Sequence, residues 1–72
     1  MIKSFYFPVP WEDIRYLKEA LISMELPFSL EQPSNRLELA AGEVAIVFPD
    51  LHVRDFNAVR ELFGGHGKRY PG

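Results

Sequence analysis

With 72 residues the chain can build one small domain, which hides only roughly 60% of the surface its unfolded form exposes; a 47% hydrophobic composition with six Phe offsets that deficit, because aromatics bury much area for each residue ordered. The absence of cysteine excludes a disulfide framework, a thiolate metal site and a Cys nucleophile, and it fits a reducing cytosol. A net charge of −2 argues against a general nucleic-acid binder, and its distribution is uneven: residues 1–63 hold six Lys or Arg against all ten acids, while residues 64–72 hold Lys68, Arg69 and no acid.

IKSFYFPV reads as a first strand ended by proline, with Phe5 and Phe7 on the core face and Ser4 and Tyr6 on the other. The apolar part of MIKSFYFPVPWED is too short, and too interrupted by Pro8 and Pro10, for a signal peptide or a membrane span. A cytoplasmic protein without a membrane partner is expected. PWEDIRYLKEALISME is the clearest helix: Pro10 suits the first turn, and Glu12 and Asp13 meet the positive end of the helix dipole. Ile14, Leu17, Leu21 and Met24 form its apolar stripe, widened by Trp11 and Ile22, and Tyr16 falls nearly opposite.

Pro27 closes that helix, and PFSLE begins a second strand. QPSN, residues 32–35, is a turn signal. RLELA alternates again, with Leu37 and Leu39 inward and Arg36 and Glu38 outward. VAIVF, apolar on both faces, is the central-strand candidate. Asp50 is the expected N-cap of a second helix ending near Phe63, with Asp55 as the cap of a shorter version. Phe56, Val59 and Phe63 share a face, and Gly64 and Gly65 end the helix.

The expected order is therefore β-α-β-β-β-α, or β-α-β-β-α if the second strand is irregular. The fold class is an α+β two-layer sandwich, a ferredoxin-like variant whose antiparallel-dominated sheet carries both helices on one face. Residues 1–63 form the domain and 64–72 a flexible basic tail. The segments EDIRYLKEALISMELPF, GEVAIVFPDLH and NAVRELF, with the short motifs LPF and VFPD, together resemble small PII-like signal-transducing domains of bacteria. The resemblance spans most of residues 2–63, with Glu25-Leu26 standing where those domains end the first helix on a glycine. It implies a ferredoxin-like fold and a partner-binding role.

No catalytic constellation emerges. His52 lies between Asp50 and Asp55, but no nucleophile motif is near, and a structural or surface histidine is the simpler reading. Two histidines without cysteine make a poor zinc site, and no cofactor is expected. GGHG follows a helix where phosphate loops precede one, and it lacks their glycine spacing. It reads as a cap and a loose tail; the alternative has Tyr70-Pro71 docked on the sheet edge in place of a missing fourth strand.

The face away from the helices is expected to be open, with Tyr6, Ala45 and Val47 as an apolar centre and Glu31, Arg36 and Glu38 as its rim. One aromatic among glutamates does not suit RNA. An α-β-β-β-α reading from Trp11, the order of double-stranded RNA-binding domains, fails because the segment from Asp50 to Asp55 carries one Arg against two acids. The sequence thus points to a non-enzymatic regulatory module that binds another protein, or a second copy of itself, through its sheet face or edge. Tyr6, Arg36, Val47 and Tyr16 are the expected partner-binding residues. The alternatives are a PII-like small-ligand sensor using Lys68 and Arg69, and a small phage-type inhibitor of a larger complex.

Overall fold

The computed structural model describes residues 2–71; Met1 and Gly72, the outer ends of the expected domain and tail, lie outside the described residues. Strand β1 (Lys3–Pro10) leads through a single 3₁₀ turn (Trp11–Asp13) into helix α1 (Ile14–Ser23). Strands β2 (Ser29–Glu31) and β3 (Glu43–Pro49), helix α2 (Val53–Phe63) and strand β4 (Lys68–Arg69) follow. The described residues thus form a small α+β domain with one sheet, ordered β2-β3-β1-β4, in which every neighbouring pair is antiparallel.

The apolar run VAIVF is buried on both faces and forms the central β3, as its composition requires. On one face Phe5, Phe7, Val9, Val44, Ile46 and Phe48 pack with Ile14, Leu17 and Leu21 of α1 and Val59 of α2. Phe5 stacks on Phe48 (5.2 Å between centroids) and Phe7 on Phe63 (4.2 Å). No helix among the described residues is long and apolar enough to cross a membrane.

Several expectations are corrected. RLELA is not a strand; it belongs to the long β2–β3 connection, where the Ser34 hydroxyl accepts from the N–H groups of Arg36 and Leu37 (3.2 Å each). Such a local hydroxyl turn competes with the strand ladder that its alternation suggests. The N-cap of α2 is His52, whose Nδ1 accepts the Arg54 N–H at 3.3 Å, in place of Asp50 or Asp55. Helix α1 ends at Ser23, before Pro27, with Glu25 at φ 58°. There the Leu26 N–H donates to the Leu21 carbonyl (3.1 Å) and the Glu25 N–H to that of Ile22 (3.0 Å). This is the Schellman arrangement, with a glutamate in the left-handed position that glycine ordinarily takes.

The C-terminal segment, expected to be loose, follows the docked alternative. Phe5 pairs with Arg69 and Tyr6 with Lys68, and the Tyr70 N–H donates to the Ser4 carbonyl at 3.0 Å. Alternation along β1 then turns the backbone polar groups of Ser4, Tyr6, Pro8 and Pro10 toward β4, and those of Phe5, Phe7 and Val9 toward β3. The two prolines therefore cost β3 no hydrogen bond. They also offer β4 no N–H donor beyond Tyr6, which fits both its two-residue length and a strand that runs through Pro8 to Pro10.

Candidate functional site at the C-terminal edge

The sheet face expected to be open is closed. Leu37 is fully buried over Tyr6 (7% exposed), Ala45 and Val47 (0%), with Leu39 and Tyr70 packed alongside. The two expected anchors Tyr6 and Val47 are thus core residues of a second, smaller cluster, and Tyr6→Glu would bury a charge instead of probing a surface. Their burial follows from the connection at residues 32–42 folding back across the sheet, which no single segment reveals.

Above this cluster a polar clasp joins the β2 edge and the start of β1 to the C-terminal segment. The Tyr70 hydroxyl donates to the Glu31 carboxylate (2.8 Å to Oε1, 3.1 Å to Oε2), and the Lys3 ammonium pairs with the same carboxylate. Lys3 Nζ also lies 3.5 Å from the Tyr70 hydroxyl and 5.3 Å from its ring centre. The hydrogen bond from Lys3 holds the Glu31 carboxyl below the ordinary carboxylate range, against the opposing effect of partial burial; the Tyr70 hydroxyl and the Lys3 and Arg36 charges act in the same direction. Hydrogen bonding to Glu31 in turn raises Lys3. Arg36 is exposed as expected, but its guanidinium donates to the Pro71 carbonyl (3.0 Å), so it holds the C-terminal segment.

Tyr16 stands 64% exposed on α1, away from the other expected anchors. Lys68 and Arg69 form β4, and both are exposed. His52, spent on its helix cap, makes no hydrogen bond to Asp50 or Asp55 among the described residues. No three His, Asp or Glu side chains of the described residues group as metal ligands would.

The concave surface gathers instead around residues 64–71. A cleft of about 400 Å³ runs between the start of α2 and β4, floored by Phe5, Leu51 and Phe56 and rimmed by Asp50, Lys68 and Arg69. Val53, 70% exposed, stands at its mouth. A second hollow of about 650 Å³ begins on the other side of Arg69, between Lys3 and Tyr70. Because Lys68 and Tyr70 turn their backbone groups to β1, alternation turns the N–H and C=O of Arg69 away from β1 in the plane of the sheet, where the described residues supply no further strand. Cross-strand neighbours share a face, so the Arg69 side chain lies on the helix side with Phe5, beside the cleft, and Lys68 lies with Tyr6.

Gly67 makes this edge possible. Its φ of +78° is left-handed, and a Cβ there would meet Phe7 Cζ and the Tyr6 carbonyl oxygen at 2.9 Å each. Sequence reasoning missed Gly67, the clasp and the cleft. The legible signal was KRYP, two cations and an aromatic stopped by proline, a strand pattern too short to stand out from a tail. No family model, curated protein or solved structure matches the chain.

Proposed function

We propose that this protein is a non-enzymatic binding module of ferredoxin-like design that takes up an extended segment of another protein along the free edge of β4. The strand order β2-β3-β1-β4, with a helix between β1 and β2 and another between β3 and β4, supports the fold reading. The observation that carries the functional reading is the juxtaposition of an outward-facing backbone pair at Arg69 with an apolar-floored cleft of about 400 Å³. Strand addition draws affinity from main-chain hydrogen bonds and specificity from a pocket for alternate side chains, and this edge offers both. The resemblance to PII-like domains points the same way, toward partner binding.

Arg69→Pro tests the reading directly. The substitution removes an N–H that β1 does not use, and proline is tolerated on an edge strand whose N–H faces outward. Affinity capture from nuclease-treated lysate of the source cells should retain a protein on the wild type and lose it on Arg69→Pro. Equal retention by both would remove the edge from consideration.

A further inference from the structure

Resting on that edge reading, we infer that the segment taken up by β4 is acidic, with an acid–apolar–acid alternation whose central bulky side chain enters the cleft. The register dictates the pattern. A residue lying opposite Arg69 in an added strand projects to the helix side next to the Arg69 side chain, from where a bulky group reaches past the rim toward Phe5, Leu51 and Phe56. Its two chain neighbours project to the other side of the sheet, where one of them faces Lys68. The residues two positions away return to the helix side, within diagonal reach of the Arg69 guanidinium.

Charge complementarity selects the chemistry. Neither Lys68 nor Arg69 forms an ion pair among the described residues, whereas Lys3, the neighbouring cation, is already held by Glu31. Both are exposed on an edge strand. Asp50 is the acid on the cleft rim and leaves the edge net basic. This positive edge sits on a body in which acids outnumber Lys and Arg ten to six. A basic segment would meet Lys68 and Arg69 at close range, where like charges opposite one another destabilise a strand pair. The same repulsion excludes a second copy docked β4 against β4, since a two-fold contact would set these cations against their equivalents.

The test is selection of a displayed library of random nonapeptides on the wild-type protein, followed by amide chemical-shift mapping with the enriched peptides. Acid–apolar–acid sequences should be enriched, and their binding should shift the amides of Lys68, Arg69 and Tyr70 together with those of Leu51 and Phe56. The pair Lys68→Glu/Arg69→Glu should weaken them at least tenfold, and raising salt should weaken the wild-type complex. Lys68→Gln/Arg69→Gln serves if the reversed charges unpair β4, and it should give a smaller loss in the same direction. Neutral or basic peptides that map to the same amides would overturn the acidic inference and leave the edge reading standing. Enrichment of none, or of peptides mapping elsewhere, would overturn both.

Discussion

The two faces of the sheet are closed by different materials. On the helix side all six Phe residues gather in or against one cluster, and two amphipathic helices cover it. On the outer side four residues, Tyr6, Leu37, Ala45 and Val47, are buried under an irregular connection and a tyrosine near the C-terminus. Fully buried side chains occur on both sides: Phe48, Leu21 and Val59 on the first, Leu37 and Val47 on the second. Single side chains reach full burial on either face, but by different means. The helix side is secured by many contacts between regular elements, and the outer side by one leucine, one salt-bridged carboxylate and one strand of two residues.

Truncations on each face should expose that difference. Phe48→Ala removes a fully buried ring stacked on Phe5, at a cost of about 3–5 kcal/mol. Small domains have a total stability of roughly 5 kcal/mol, so this variant should be left marginal, with a partial loss of circular dichroism signal already at 25 °C. Leu37→Ala removes an equally buried side chain and should cost about 2 kcal/mol, at the low end for leucine. The domain should stay folded, with near-native helix content, while the uncovered Tyr6 and Val47 bind a hydrophobic dye. If the two variants lost the same stability, the two faces would be one cooperative core.

Gly67→Ala sharpens the comparison at the edge. Its Cβ would press on Phe7 from one side and on the Tyr6 carbonyl from the other, at a left-handed φ. An expected loss of about 1–3 kcal/mol should come with fast amide exchange at Lys68 and Tyr70, while β1 and β3 remain protected.

The clasp gives the outer face a pH dependence of its own. Glu31 is lowered in the folded state, so its contribution is present above the ordinary carboxylate range and disappears as pH falls through its lowered value. Lys3 is raised, so its contribution holds below the ordinary lysine value and disappears as pH rises through its higher one. Protection of the Tyr70 amide, corrected for intrinsic exchange, should therefore be flat at neutral pH and fall at both extremes. Glu31→Gln should abolish the acid limb. The smallest effect is expected at Glu25, on the helix side: Glu25→Gly relieves a left-handed glutamate and should raise stability by about 1 kcal/mol in urea unfolding.

Sequence alone determined what depends on local periodicity and composition. The α1 stripe at Ile14, Leu17 and Leu21, the doubly apolar β3, the assignment of Phe5 and Phe7 to the core and the glycine stop of α2 at Gly64 were legible, whereas Met24, Trp11 and Ile22, read into the same stripe, are exposed. Each follows from residues within a few positions of one another, where backbone geometry dictates which side chains share a face. Tertiary structure alone decided the rest. RLELA and a strand share one alternation, but Ser34 offers its backbone a competing turn, and Leu37 finds its burial on Tyr6, Ala45 and Val47. Tyr70, 39 residues from Glu31, turns KRY from a tail into an edge. Contacts at such separation depend on chain closure and on unoccupied partners across the sheet, and neither is written in the spacing of nearby residues.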